Sequence, residues 1–254
     1  MSFFGSALSV WLIPEHETKQ LALEKPGEPE KRKSYWSDIR EGWSYIIRHA
    51  PVAALLAINV LWASGGGAVN LIMDRLGGIV FAGQYGISGD SGVAALYFAG
   101  GLGLFMGMMI ARRLGHHFEF IGKTHTFIGW GLLLQGFLFA LVGVMPNLVF
   151  ACLFLFLGRI LLGAEFGIQD TLLMRLVPDK LRGRVITTDR ASEFLTWSLS
   201  TTVAGWSLRG ITPRTLTIIS GLLSSVSGVV WLVLFASGKM RLPKKFNAPA
   251  VGGK

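Results

Sequence analysis

Long apolar runs separated by short polar turns fill most of the chain from residue 51 onward. About 20 apolar residues in a helix cross the hydrocarbon layer of a bilayer, so this pattern predicts membrane spans. Six are expected, over residues 51–73, 92–110, 124–144, 147–177, 185–208 and 215–237. They differ in polarity. The first holds Asn59, Trp62, Ser64, a run of three glycines and Asn70, and the second carries Gly100, Gly103 and Gly107. The third has one amide, Gln135, and no charge, while the sixth has only Ser224, Ser225 and Ser227 as polar residues in its middle. The fourth is apolar yet interrupted by Arg159, Glu165, Gln169 and Asp170. The fifth is the weakest, with Asp189, Arg190 and Glu193 in its first turns and Ser/Thr residues through its middle.

The segments outside the spans have a different pattern. Residues 1–13 are apolar but too short to cross, with no basic residue ahead of them as a signal peptide requires. They are expected to be the tail of a membrane helix or an interfacial segment. Residues 14–34 are rich in charge and proline and cannot bury a core, which predicts a cytoplasmic linker. Over 35–50, Trp36, Ile39, Trp43 and Ile47 recur at three- and four-residue intervals, the mark of an amphipathic helix lying at the headgroup layer. A basic cytoplasmic tail, 239–254, comes after the six-helix domain assigned to 51–238.

Composition supports the membrane reading: 51% of residues are hydrophobic, only 15% are charged, and 33 are glycine, which lets helices approach closely. The net charge of +9 raises nucleic acid as a partner, but the spans scatter these cations rather than gather them on one face. Lys and Arg instead sort by side. Nineteen lie in the two ends and in the loops around Arg112 and Lys180, whereas only Arg75, Arg209 and Arg214 lie opposite. The richer side is expected to be cytoplasmic, with both termini inside. The single cysteine, Cys152, excludes an internal disulfide and any cysteine-based zinc site.

Six spans with cytoplasmic ends and a charged linker in front resemble the C-terminal half of a major facilitator superfamily transporter. Residues 41–56, EGWSYIIRHAPVAALL, look like the entry to helix seven in the drug, macrolide and siderophore exporter branch. Residues 176–185, LVPDKLRGRV, resemble the loop between helices ten and eleven. Residues 107–117, GMMIARRLGHH, resemble the GxLaDRxGRR loop, with Ala111 in place of the acid and His116-His117 in place of basic residues. The resemblance implies an all-α membrane fold: one six-helix half made of two inverted three-helix repeats. It also implies a bacterial inner-membrane location and a cavity lined by the first and fourth spans. These are the polar spans here, as two inverted repeats would require.

Arg159 lies near the middle of its span, where a charge costs at least ~2.5 kcal/mol. On a helix it shares a stripe with Gly163, Phe166 and Asp170, with Glu165 and Gln169 about a third of a turn away. Arg159 and Glu165 are therefore expected to be poor partners for each other, at least one of them looking toward a second half. Both are candidates for substrate contact or proton coupling, with Glu165 binding and releasing the proton; a satisfied interhelical pair is the structural alternative. Gln169, Asn59 and Asn70 are further cavity candidates, the two asparagines sharing one face with Gly66 between them. Asp170, Arg175, Asp189, Arg190 and Glu193 form a candidate cytoplasmic gate, or else ordinary solvated helix ends. The glycine face of the second span serves close packing or sliding.

The histidines lack metal-ligand spacing on one helix face, and no nucleophile or phosphate-binding motif occurs. Neither an enzyme nor a cofactor is expected, and no metal site. The expected function is proton-coupled efflux of a small amphipathic or siderophore-like molecule. Beyond the lipid bilayer and substrate, the expected partner is an N-terminal half-transporter or a second copy. The alternative is a truncated or split-gene membrane protein without transport of its own, acting as a scaffold.

Overall fold

A computed structural model describes residues 35–238, with side chains from residue 39. The segments 1–34 and 239–254, and with them the short apolar segment, the linker and the basic tail, lie outside the described residues. The helices are α1 (Tyr35–Arg48), α2 (Ala50–Gly66), α3 (Val69–Arg75), α4 (Gly89–Phe120), α5 (Thr124–Val142), α6 (Leu148–Leu176), α7 (Asp179–Ser207) and α8 (Pro213–Ala236). The chain divides into two units after Arg40, inside α1, and the second unit, from Glu41 onward, holds the helix bundle.

Five helical segments are long and apolar enough to cross a membrane: Ala50–Val80, Gly89–Phe120, Thr124–Val142, Leu148–Leu176 and Pro213–Ala236. They mark an integral membrane protein. The remaining expected span, 185–208, falls in α7, which has the length, 29 residues, but not the apolar composition. Some of its polar residues, Asp189, Ser200 and Thr201 among them, serve contacts within the bundle, so length alone carries that assignment.

The helix boundaries have local causes. Asn147 caps α6 by accepting from the Phe150 N–H at 3.1 Å, and Pro178 comes just after its last residues. Ser88 and Thr212 cap α4 and α8 in the same way. Two boundaries differ from expectation. The segment 107–117, matched to a family loop, is helical throughout: nothing after Gly107 stops α4 until Gly122, whose φ of 68° ends it. The segment 176–185 likewise shrinks to a two-residue joint, because Pro178 serves as the N-cap of α7.

The first span is discontinuous. α2 stops at Gly66, α3 resumes at Val69, and a π-type turn over Leu76–Val80 completes the crossing. Backbone groups freed inside a membrane need partners. The Thr201 hydroxyl of α7 donates to the Gly67 carbonyl at 2.7 Å, and Ser200 to that of Ser64 at 2.7 Å. Ser200 and Thr201 of α7 thus brace the neighbouring helix.

Packing has a repeating scheme. α4 lies along α6 and α2 along α7; α5 contacts α6 and α8 contacts α2; α5 and α8 pack together. Exchanging the first three long helices (α2, α4, α5) with the last three (α6, α7, α8) leaves this scheme unchanged. One close approach is between α4 and α6. A Cβ on Gly103 or Gly107 would run into the α6 backbone at Phe156 or Ile160, so the glycine face packs helix to helix.

Candidate functional site

α6 distributes its polar residues to different neighbours, as their spacing of about 100° per residue dictates. The stem of Arg159 passes Gly100 and Gly103 of α4, while the stem of Glu165 runs beside Gly131 of α5. Phe166 meets Trp62 of α2 edge-on, ring centroids 5.1 Å apart, and Trp62 in turn lies 5.5 Å from Trp197 of α7. Gln169 points to α2 and Asp170 to α7, each held there by hydrogen bonds.

The C-terminal end of α6 is densely bonded. Gln169 Nε2 donates to Asn59 Oδ1 at 2.7 Å, and Asn59 Nδ2 donates to both carboxylate oxygens of Asp189 at 3.1 Å. This relay ties α6, α2 and α7 together through two buried groups, Gln169 and Asp189. Beside it the Arg190 guanidinium donates to both oxygens of Asp170, at 2.8 and 3.0 Å, and to Glu193 at 2.8 Å. Of the five gate candidates, three therefore meet: Asp170, Arg190 and Glu193. Arg175 is elsewhere, paired with Glu119 of α4, and Asp189 belongs to the amide relay.

Close to this end, the part of α1 from Glu41 onward docks on α7. Arg184 bonds to Glu41 at 2.6 Å, Gly42 sits against Thr188, and the Tyr45 hydroxyl donates to the Leu176 carbonyl at 3.1 Å. Partial burial pushes the Tyr45 phenol up, keeping it a donor. The face that docks carries Gly42 and Ile46, so Trp43 and Ile47 of the expected apolar stripe point outward, Ile47 being 73% exposed.

The middle of α6 is the opposite case. Glu165 is 0% exposed, and among the described residues neither carboxylate oxygen has a hydrogen-bond partner. It does not look toward a second half, because α5 covers it. Arg159 is partly exposed and makes no ion pair or hydrogen bond among the described residues. It borders a small, half-open cavity lined also by Trp62, Gln135, Phe154, Gly158 and Ser224. Gln135 Nε2 donates to Ser224 Oγ at 2.9 Å, fixing the polar wall.

Asn70 departs from its expected place. Its side chain is exposed, and only its carbonyl is used, accepting from Tyr97 at 3.3 Å. Tyr97 and Asp74, neither of them a candidate from sequence, stand close to each other beside Arg159. An acid four residues past Asn70, still inside the helical crossing, was the available signal. Among the described residues no cluster of ligands could hold a metal ion.

No family model matches the chain, and neither a curated protein nor a solved structure does.

Proposed function

We propose that the chain is one six-helix half of a major facilitator-type secondary transporter, exporting a small amphipathic or siderophore-like molecule in exchange for protons. In this reading α7 crosses the membrane as the fifth span, its polar residues facing the bundle rather than lipid. The exchange symmetry of the helix contacts supports two three-helix repeats, whose odd helix number inverts one relative to the other. The break at Gly67–Ala68 in the first span, against the cavity, suits a helix that bends during alternating access.

One observation carries the coupling role: Glu165 is sealed in the bundle with both oxygens unbonded. Ionised there, it is a lone charge out of water, which costs several kcal/mol; protonated, it is only an unsatisfied acid. Any conformation that wets this position changes which form is cheaper. That is the property a proton carrier needs. The amide relay and the Asp170–Arg190–Glu193 cluster then act as the cytoplasmic closure, joining α2, α6 and α7 when the cavity opens to the other side.

The test is proton-driven efflux in vesicles carrying the protein with whatever second half it works with. Glu165→Gln is expected to abolish efflux against a proton gradient while substrate still binds. Unchanged flux would overturn the coupling role, and no flux from the wild type with any partner half would leave the scaffold reading in its place.

A further inference from the structure

Resting on the transporter reading, we infer that the cavity beside Arg159 binds the oxyanion of its ligand, selecting molecules that carry a carboxylate or similar group on an aromatic or apolar body. Arginine keeps its charge at any physiological pH, and its planar fork matches an oxyanion in two parallel hydrogen bonds. Three other arginines of the described bundle have donors occupied. Arg190 holds two carboxylates, Arg175 holds Glu119, and Arg214 donates to the carbonyls of Gly143 and Met145. Arg159 alone of these four keeps its fork free, with its stem fixed between α4 glycines.

No acid lines the cavity to serve as its internal counter-ion. Glu165 is on the α5 side of α6, beside Gly131, and Asp74 of α3 is exposed and makes no ion pair with Arg159 among the described residues. The remaining wall suits an apolar body: Trp62, Phe139, Phe154 and Leu155 present rings and alkyl carbon, while Gln135 and Ser224 satisfy one another. A free guanidinium within a largely aromatic wall attracts an anion and repels a cation. Desolvation strengthens both effects, because the local dielectric is low.

A soluble aromatic acid and an anionic lipid both present this chemistry, so the experiment separates them. The full chain is placed in nanodiscs of zwitterionic lipid, and equilibrium dialysis against empty discs measures three probes of one shape: 2-naphthoate, 2-naphthamide and 2-naphthylmethylammonium. Naphthoate is expected to bind saturably and at least about tenfold more tightly than the ammonium probe, the scale of one charge-assisted contact. Arg159→Gln should remove that preference, and Arg159→Lys should keep part of it, having the charge without the fork. Arg209→Gln, at an exposed position, should change nothing. Thermal unfolding of each variant in the same discs shows that the bundle is intact.

Displacement of naphthoate by phosphatidylglycerol, with the same dependence on Arg159, would assign the oxyanion to a lipid; no displacement would assign it to a soluble acid. Equal binding of the three probes, a preference for the ammonium, or full retention in Arg159→Gln would overturn the inference. Loss of efflux in Glu165→Gln with no anion preference leaves the transporter reading standing without this site. Anion preference with no efflux does the reverse.

Discussion

The middle and the C-terminal end of α6 handle charge in opposite ways. From Gln169 onward its polar groups have found partners: the relay through Asn59 to Asp189, the Arg190 fork on Asp170, the pair of Arg175 with Glu119. One to three turns earlier, Glu165 and Arg159 have none. Both regions sit on one helix within the same bundle, so the difference is not one of polar groups being absent nearby. Tyr97 stands near Arg159 but donates to the Asn70 carbonyl, and Gly131 opposite Glu165 offers no side-chain donor. Polar groups that hold a structure together are satisfied within it. Groups left unsatisfied, at a cost of about 1–3 kcal/mol each, are where a ligand or a proton has a role.

The satisfied end should be the sensitive one for stability. Asn59→Leu strands two buried groups at once, the Asp189 carboxylate and the Gln169 amide, and is expected to cost about 3 kcal/mol. Thermal unfolding in nanodiscs reads this directly. A loss under about 1 kcal/mol, the scale of a single ordinary hydrogen bond, would mean that the relay adds little to stability and that the contrast along α6 is false. Arg190→Gln should cost less, about 1 kcal/mol, because side chains of Arg190 and Asp170 are 38% and 46% exposed and water screens the pair. Its effect should shrink further when salt is raised, whereas that of Asn59→Leu should not. Equal salt dependence in both variants would place the relay, too, in contact with water.

How much of this was legible in the sequence differs between the regions in the same way. The apolar spans and the charged fourth helix are visible in hydropathy, and about 100° per residue already separates Arg159 from Glu165. What the neighbours would supply is not visible there. Nothing local says that Asn59 would reach Asp189, 130 residues away, or that Arg175 would leave the gate for Glu119. The glycine triplet at 65–67 marked backbone freedom, but the break there depends on Ser200 and Thr201 of α7 taking the freed carbonyls. Polar content in α7 weakened it as a span for the same reason that it matters: hydropathy counts a hydroxyl as a cost even where a neighbouring backbone uses it. The segment 107–117 misled in the other direction, since a motif match outweighed a composition that has no helix stop before Gly122.

Glu165→Leu should have the smallest effect on stability and the opposite sign. The side chain is fully enclosed, its two oxygens accept nothing, and leucine fills a similar volume with carbon that suits the wall around Gly131. Removing an unsatisfied buried acid recovers part of its desolvation penalty, so stability should rise by up to about 1 kcal/mol. Replacement of buried ionic groups by apolar ones is commonly neutral or stabilising, whereas removing one partner of a bonded pair is not. The two outcomes therefore separate a group that holds the bundle from one the bundle merely encloses. A gain, in the variant that also loses proton coupling, would set Glu165 apart from Asp189, which is also buried and of the same charge type. A loss of about 2 kcal/mol or more, the scale of a broken buried hydrogen bond, would show that Glu165 has a structural partner in the membrane. The contrast would then shrink to Arg159 alone.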